Sequence, residues 1–292
     1  MQIINKIEDR INYDKKYIIF FDIYSFTNEN ISGYLPYFEL KNKSLLTVGS
    51  SCDQVLNASL KGCDDITICD ICPLTKYYFY LKLSSLLTYN KEDYLKFLCQ
   101  TYYGVEHNPY FLNYEYYGKI KDTLKSLDYD SFYLWDYLFN NYKEFELSKI
   151  FRKDNNIKSD IINCNNYLKN DKNFKKIKSS IMNTNISFIN GNVINEEYDR
   201  SFDNIWLSNV AHYLNRKEIR DMFFDSERVL NKNGKMLVCY FWNNIASDKE
   251  FIIKELNDVE IEILKINGTN THQDNSIILY EKPKSLCYNK YR

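Results

Sequence analysis

Short apolar runs alternate with helix-like stretches in the first third of the chain, and this alternation predicts an α/β fold. The run at 44–49 (SLLTVG) is followed by apolar residues at helical spacing over 53–60, and the run at 66–70 (ITICD) by a helical pattern over 74–88. Continuous apolar runs of this length are typical of strands buried on both faces, and strand–helix alternation is typical of a helix-covered parallel sheet. We therefore predict a doubly wound, mostly parallel sheet.

The alternation stops after residue 88 and resumes near residue 186. Residues 89–182 contain helical patterns and no strand pattern, so we predict a helical insertion there. Further strands are predicted at 186–189, 202–208, 235–241, 259–266 and 276–281, with a helix at 215–231 that ends in Asn233-Gly234. We expect a seven-stranded sheet with the last strand antiparallel, in a single domain of residues 1–292 with a lead-in of short helices and turns at 1–43.

Small and acidic residues follow the first two predicted strands, at the edge where doubly wound sheets bind ligands. Gly49 and the small residues beside it allow backbone N–H groups to approach a ligand at the start of the next helix. Asp70 ends the second strand, 21 residues after Gly49, and an acid about 20 residues beyond such a loop can bind ribose hydroxyls. Together they predict a site for a nucleoside-containing cofactor.

The first loop does not carry the pattern of a dinucleotide-binding protein. That pattern, G-x-G-x-x-G, needs three glycines, whereas residues 47–53 (TVGSSCD) contain one. Tyr78 and Lys82 form a Y-x-x-x-K pair, but they lie on the helix after the second strand, where we expect a packing face. A nicotinamide-dependent oxidoreductase is therefore only a third hypothesis.

The order of these segments resembles the class I S-adenosylmethionine-dependent methyltransferase fold. The resemblance covers residues 44–88 and 185–281, and it is carried by the segments SLLTVGSSCDQVL, ITICD, ISFINGNV, FDNIWLSNVAHYL and NGKMLVCYFW. It implies an α/β Rossmann-like fold, S-adenosylmethionine as the cofactor and a transferase activity on a small-molecule or lipid acceptor.

The resemblance also implies the residues of the site. The first loop would hold the amino-acid part of the cofactor, Asp70 the ribose and residues 191–192 the adenine edge, while residues 208–209 would face the reacting centre. The candidate cofactor-binding residues are Thr47, Gly49, Ser50, Ser51, Asp53, Asp70, Ile71, Gly191, Asn192 and Ser208, and the candidate catalytic residues are Asn209, His212 and Tyr213. His212 and Tyr213 would act as a general base or orient the substrate; the alternative is a surface histidine at a helix start.

The first loop departs from the family pattern, which is acid-x-G-x-G-x-G. Thr47, Ser51 and Asp53 occupy the positions of the acid and of the two later glycines. The small-Gly-small loop and the insertion resemble a subgroup that includes transferases of the 3-amino-3-carboxypropyl group of the same cofactor to diacylglycerol in betaine-lipid synthesis. Methyl transfer and aminocarboxypropyl transfer therefore both stay open, as does a binding module that has lost catalysis.

Composition limits the other partners. Lys plus Arg (38) nearly balances Asp plus Glu (39) and no basic stripe is evident, so we expect no binding to nucleic acid. The apolar run at 17–21 is far shorter than the about 20 residues of a membrane span, so we expect a cytoplasmic protein with at most peripheral membrane contact. Cys69 and Cys72 form a C-x-x-C without a second pair at matching spacing, so we expect no metal site.

Two features of the insertion would suit a lipid acceptor. They are a basic run, Lys169, Lys172, Lys175, Lys176 and Lys178, and an aromatic stretch, Tyr102, Tyr103, Tyr110, Phe111, Tyr114, Tyr116 and Tyr117. Both would provide a docking surface. The alternatives are a solvated helix face for the lysines, and a lid or internal packing for the aromatic residues.

Overall fold

The computed structural model describes residues 2–13, 23–99, 112–151, 158–240, 250, 261–266 and 275–281. Within these ranges one sheet of seven strands is covered by helices. The strands are β1 (Ser44–Thr47), β2 (Asp65–Asp70), β3 (Asn185–Asn190), β4 (Phe202–Trp206), β5 (Leu230–Tyr240), β6 (Ile261–Ile266) and β7 (Asn275–Glu281). The predicted α/β class with seven strands is confirmed.

The helices of the described residues begin and end as follows: α1 (Gln2–Tyr13), α2 (Ile31–Tyr34), α3 (Asp53–Leu60), α4 (Leu74–Thr88), α5 (Lys91–Leu98), α6 (Tyr114–Leu127), α7 (Tyr129–Asn141), α8 (Glu144–Leu147), α9 (Lys158–Cys164), α10 (Asp171–Met182) and α11 (Arg216–Val229). Asn or Asp side chains cap the first turns of many of them: Asn30, Asn90, Asn113, Asp128, Asn170 and Asn215. Each cap accepts a backbone N–H that the helix leaves unpaired. Helices α5–α10 fill the described part of the predicted insertion.

The strands lie in the order β3-β2-β1-β4-β5-β7-β6. Every pair from β3 to β5 is parallel, and β7 runs antiparallel to both β5 and β6, so the predicted antiparallel last strand is confirmed. The chain moves outward from β1 to β3 and then returns to β4 on the other side of β1. This reversal makes the carboxyl ends of β1 and β4 the topological switch point, where open α/β sheets bind ligands.

Both faces of the sheet are buried, which explains why its strands appear as continuous apolar runs. Leu45, Ile66 and Ile68 face one cluster of buried side chains, which includes α3, α4 and the insertion helices. Leu46 and Ile205 face the other, which includes α11. Successive strand side chains point to opposite faces of the sheet, so neighbouring residues enter different clusters. The first cluster also contains side chains of the insertion helices, and it therefore joins the insertion to the sheet.

The boundary between the last helix and β5 differs from the prediction. Helix α11 ends at Val229 and β5 begins at the next residue, whereas the sequence predicts a helix to 231 that ends in Asn233-Gly234. Asn233 instead lies within the strand with a left-handed φ of 63°, and the pairing with β4 shifts register there. The Asn-Gly pair therefore forms a bulge in the strand. Residues that tolerate positive φ occur at bulges as well as at the helix ends where the sequence pattern places them.

Candidate active site

A cavity of about 280 Å³ opens at the carboxyl ends of β1, β2 and β4 and beside the loop after β3. It lies at the switch point of the sheet, where the sequence predicts the ligand. The candidate residues in its lining are Ser50, Asp70, Ile71, Gly191, Asn192, Ser208, Asn209 and Tyr213. The fold thus brings together residues that are separated by as many as 163 positions in the chain.

The loop after β1 is tightly packed and strained. Ser50 and Cys52 have left-handed backbones, with φ of 42° and 63°, in a region that costs a non-glycine residue about 1–2 kcal/mol. The Cys52 N–H donates to the Gly49 carbonyl over 2.6 Å. Ser and Cys therefore take a conformation here that favours glycine, and such strain is typical of ligand-binding loops.

Gly49→Ala is expected to lower the free energy of unfolding by about 1–3 kcal/mol, because an added methyl group overpacks this loop. A Cβ on Gly49 would overlap the side chain of Thr75 and lie 3.0 Å from Oδ2 of Asp70. Urea denaturation followed by circular dichroism measures the change. Gly118→Ala is the control: Gly118 lies in α6 with open space around it, so that substitution is expected to be neutral or stabilising. Equal effects at both positions would contradict the packing described.

Asp70 joins the loops after β1 and β2. One carboxylate oxygen accepts the Ser50 N–H over 2.7 Å and the other accepts the Cys72 N–H over 2.8 Å. Burial raises the pKa of Asp70 above its ordinary value, although these hydrogen bonds oppose the shift. The Thr75 side chain and the Gly49 N–H also lower this pKa, so polar groups of both loops hold Asp70 at the wall of the cavity.

The loop after β3 forms a mixed polar and apolar wall. Asn190 donates to the carbonyls of Asp70 and Ile71 over 2.9 and 3.2 Å, which holds this loop against the end of β2. The side chain of Asn192 accepts from the Ile194 N–H over 3.2 Å, so its carbonyl oxygen stabilises its own turn. Val193 and Ile194 supply the apolar part of this wall.

The segment after β4 supplies the opposite wall. Ser208 has a left-handed φ of 53°, and its carbonyl accepts the Cys239 N–H over 2.7 Å. Asn209 and Tyr213 line the cavity, and Tyr213 is half exposed at its mouth. His212 lies outside the lining, where its ring packs edge-on against Tyr240 with 5.7 Å between ring centroids.

Five of the candidate residues lie outside the cavity lining: Thr47, Gly49, Ser51, Asp53 and His212. Thr47 is buried in β1 and its hydroxyl donates to the Val48 carbonyl over 3.1 Å. Gly49 has no side chain, which leaves room for Thr75 and Asp70 to pack beside it. Ser51 and Asp53 are fully buried, and the placement of Asp53 differs most from the sequence-based expectation.

Asp53 is part of a buried network rather than of the cavity wall. One of its oxygens lies 2.6 Å from the Lys82 ammonium and accepts the Tyr167 hydroxyl over 2.7 Å. The other accepts the Thr27 N–H over 2.6 Å. Lys82 also donates to the carbonyls of Ser25 and Ser51, each over 2.9 Å. These contacts, called the Asp53–Lys82 network below, join the lead-in, the first loop, α4 and the insertion, and they give the Y-x-x-x-K lysine a structural role.

The lead-in supplies two residues that sequence reasoning missed. Tyr24 lines the cavity directly. Glu29 is buried, with 1% of its surface exposed, and the hydroxyl of Ser208 donates to its Oε1. No pattern of the sequence indicates either residue, since neither follows a strand of the sheet. Only the packing of the lead-in against β4 and β5 brings them to the site.

Burial dominates the electrostatics of Glu29. It raises the pKa of this carboxyl from 4.5 to about 7, although hydrogen bonds from Cys239, Tyr34 and Gln54 oppose the shift. The Tyr34 hydroxyl and the Cys239 thiol donate to Oε2 over 3.2 and 3.5 Å. The structure records no ion pair for Glu29 in the part of the chain that it describes. Such a group changes charge near neutral pH, one residue behind the cavity wall.

The cavity lining is acidic. Asp70 and Glu218 belong to it, and no Lys, Arg or His is among the described residues that line it. Its other side chains are apolar, aromatic, thiol, amide or hydroxyl groups. The surroundings therefore suit a ligand with positive charge better than one with negative charge.

Cys69 and Cys72 both belong to the lining, and burial raises the pKa of Cys69 to about 11. Within the described ranges no group of three or more His, Cys, Asp and Glu side chains could hold a metal ion. Nor does any helix of those ranges have the length and apolar character needed to cross a bilayer.

Two members of the predicted docking surface make internal contacts, whereas Lys169, Lys172, Lys175 and Lys176 are exposed. Tyr117 is buried and stacks on Phe139 with 3.8 Å between ring centroids. The Lys178 ammonium donates to the carbonyls of Leu87 and Tyr89 over 3.2 and 2.6 Å. Tyr102, Tyr103, Tyr110 and Phe111 lie outside the described residues.

Comparison with known proteins finds likeness in structure only. No family model matches the chain, and no curated protein matches it. The N-methyltransferase NodS from Bradyrhizobium japonicum WM9, in complex with S-adenosyl-L-homocysteine, is 10% identical with a TM-score of 0.43, and 96% of this chain and 97% of that chain are covered.

Two other solved structures are also similar over most of the chain at low sequence identity. A methyltransferase from Pyrococcus furiosus is 14% identical with a TM-score of 0.43, covering 94% of this chain and 98% of that chain. The glycopeptide N-methyltransferase MtfA, complexed with S-adenosyl-L-homocysteine, is 7% identical with a TM-score of 0.44, covering 90% and 92%. Because all three TM-scores are below 0.5, these likenesses carry no conclusion about the reaction of this chain.

Proposed function

We propose that this chain is an S-adenosylmethionine-dependent methyltransferase that acts on a small-molecule acceptor. One observation carries the proposal: the strained loop after β1, the Asp70 carboxylate and the segments after β3 and β4 meet at one cavity at the switch point of the sheet. In such a sheet this is the position at which a nucleoside ligand binds.

The cavity residues fit the parts of this cofactor. Asp70 would accept the ribose hydroxyls from the cavity lining, and Val193 and Ile194 would offer an apolar surface to the adenine ring. Gly49 leaves no room for a side chain beside Asp70, so the loop after β1 packs directly against this acid, and its Ser50 lines the cavity. The acidic lining suits the positive charge of a sulfonium.

The main task of the protein in this reaction is to position the two reactants. When bound, S-adenosylmethionine supplies a methyl group on a sulfonium, which is already an activated leaving group. The chain must therefore hold an acceptor in line with that carbon and exclude water. Ser208, Asn209 and Tyr213 would do so from the end of β4, and Tyr24 from the lead-in.

A small-molecule acceptor is preferred over a lipid. Among the described residues that line the cavity there is no cationic side chain that could bind a phosphate headgroup. Tyr117 and Lys178, one from each of the two features that would serve a membrane-bound acceptor, make internal contacts, although the other lysines of the basic run are exposed.

Incubating the purified protein with S-adenosylmethionine and an extract of the source cells tests the reaction. Formation of S-adenosylhomocysteine above background, followed by mass spectrometry, is the expected result. Methylthioadenosine as the product would replace methyl transfer by aminocarboxypropyl transfer. Calorimetric binding of the cofactor without either product would favour a non-catalytic binding module.

Asp70→Asn is expected to weaken S-adenosylmethionine binding about 10-fold or more, because hydrogen bonds from the ribose hydroxyls to a charged acceptor contribute about 1.5–3 kcal/mol. Isothermal titration calorimetry measures the dissociation constant. Asp203→Asn is the matched control, since Asp203 also accepts a backbone N–H over 2.9 Å, from Ser44 at the opposite end of β1. Equal affinities of the Asp70 variant and the wild type would remove Asp70 from the site.

A further inference from the structure

We propose that Ser208 and Glu29 form a proton relay, and that the acceptor is an amine which passes a proton to Glu29 through Ser208 before it is methylated. The inference rests on the proposed function and names its acceptor class. It is carried by a buried carboxylate that reaches the cavity through a single hydroxyl group.

The contacts of Glu29 are divided between its two oxygens. Oε2 accepts from Tyr34 over 3.2 Å and from Cys239 over 3.5 Å, both inside the core. Oε1 accepts from Ser208, a residue of the cavity lining. Gln54, which is buried and outside the lining, also forms a hydrogen bond to the carboxylate. Among the described residues that line the cavity, Ser208 is the one whose side chain donates to Glu29, and a hydroxyl can give one proton and take another.

The backbone holds Ser208 in this position. Its left-handed φ of 53° is a conformation that a serine adopts at a cost. Its carbonyl accepts the Cys239 N–H over 2.7 Å, and Cys239 also donates its thiol to Glu29. Two interactions thus fix the serine and the carboxylate relative to β5.

Glu29 is the member of its surroundings that titrates near neutral pH. The titratable groups that face it are Tyr34 from α2, Cys239 from β5 and Cys164 from α9. Burial raises the pKa of each well above its ordinary value, to about 12 for Cys164. The nearby charge of Asp53 is paired with Lys82. At pH 7 to 8 Glu29 can therefore accept a proton, whereas its neighbours stay neutral donors.

The charges of the cavity favour an amine over a hydroxyl or an acid. A carboxylate or phosphate acceptor needs no base, and it would be repelled by Asp70 and Glu218 in the lining. An alcohol would have to become an alkoxide, and the lining, in the part of the chain that the structure describes, offers no cationic side chain to stabilise it. A protonated amine is attracted by the acidic lining, and a neighbouring sulfonium lowers its pKa, so its proton can pass to a carboxylate.

The step balances in atoms and charge. The ammonium gives a proton to the Ser208 oxygen while Ser208 gives its own proton to Glu29, so the serine is unchanged. The free amine forms a bond to the methyl carbon as the carbon–sulfur bond breaks and its electron pair stays on sulfur. The products are an N-methyl ammonium, the neutral thioether and protonated Glu29.

The acceptor class is tested with methyl-tritiated S-adenosylmethionine and a small-molecule extract of the source cells. We expect a labelled product that is stable to alkali and is retained by a cation exchanger at acidic pH. A label released by alkali identifies an ester, and a stable but uncharged product identifies an ether, a thioether or a carbon acceptor; both overturn the amine. No transfer of label by the wild type overturns the proposed function and this inference with it.

The relay itself is tested with Glu29→Gln and Ser208→Ala. At pH 8 each is expected to lower kcat about 100-fold, and the Glu29 variant is expected to lose the rise of kcat that the wild type shows through pH 7. Dissociation constants of S-adenosylhomocysteine from calorimetry should be unchanged, which separates the relay from lost binding. Glu115→Gln, an exposed acid on α6, is the control. A pH profile of Glu29→Gln that matches the wild type overturns the relay.

Discussion

Lys82→Met is expected to lower the free energy of unfolding by about 3–5 kcal/mol, because it removes one member of a buried ion pair and leaves the other without compensation. The Lys82 ammonium and the Asp53 carboxylate are 1% and 0% exposed and lie 2.6 Å apart. The substitution also removes one hydrogen bond from each of the carbonyls of Ser25 and Ser51, of which the first keeps the Tyr78 hydroxyl over 2.7 Å. Guanidinium denaturation followed by tryptophan fluorescence measures the loss.

Two controls isolate the cause of this loss. Adding Asp53→Asn to the Lys82 variant removes the uncompensated charge, so the double variant is expected to be more stable than Lys82→Met alone. Lys96→Met breaks an ion pair of 2.8 Å to Glu92 on the exposed face of α5 and is expected to change stability little, because exposed pairs are screened by water. Equal losses at Lys82 and Lys96 would show that burial is not the cause.

The same network explains how the lead-in becomes part of the active site. Lys82 holds the Ser25 carbonyl and Asp53 holds the Thr27 N–H, so both charges of the pair fix the segment that carries Tyr24 and Glu29. Without that anchor, Glu29 would lose a defined position behind Ser208. The ion pair thus contributes to the site without contacting the cavity.

The strands of the sheet could be predicted because each one corresponds to a run of consecutive apolar residues. Strands buried on both faces must be apolar along their whole length, and Leu45 with Leu46 shows why: the two side chains enter different clusters. The start of β5 could not be predicted in this way. Asn233-Gly234 is equally typical of a helix end and of a bulge, and only the pairing of β5 with β4 decides between them.

The candidate site could be predicted where a residue follows a strand. Asp70 ends β2 and Ser208 follows the end of β4, and parallel strands bring their carboxyl ends to one edge. Asp53 shows the limit of such reasoning, since its position in the loop resembles a ligand contact while its side chain neutralises Lys82 in the core. Glu29 could not be found, because its role depends on a contact with Ser208 across 179 positions.

Glu29→Gln is expected to stabilise the protein at pH 8 by about 3 kcal/mol relative to its effect near pH 4. The carboxyl has a pKa of 4.5 when exposed and about 7 in the fold, and each tenfold difference in proton affinity corresponds to about 1.4 kcal/mol. Between these two values the folded chain binds a proton that the unfolded chain has released. The free energy of unfolding of the wild type therefore falls as pH rises from about 4.5 to 7 and changes little beyond that through this group.

Glutamine has no charge to desolvate, so in the variant this position does not lower the free energy of unfolding as pH rises. Its amide oxygen can accept from Tyr34 and Cys239, and its amide nitrogen can donate to Ser208, whose hydroxyl is able to accept. Urea denaturation of both proteins at several values between pH 5 and pH 8 measures the difference, with Glu115→Gln as a control that should follow the wild type. Parallel curves for the wild type and Glu29→Gln would show that Glu29 does not titrate in this range. A widening gap, together with a loss of kcat in the same variant, would mean that the buried carboxylate lowers stability at the pH where its charge serves the reaction.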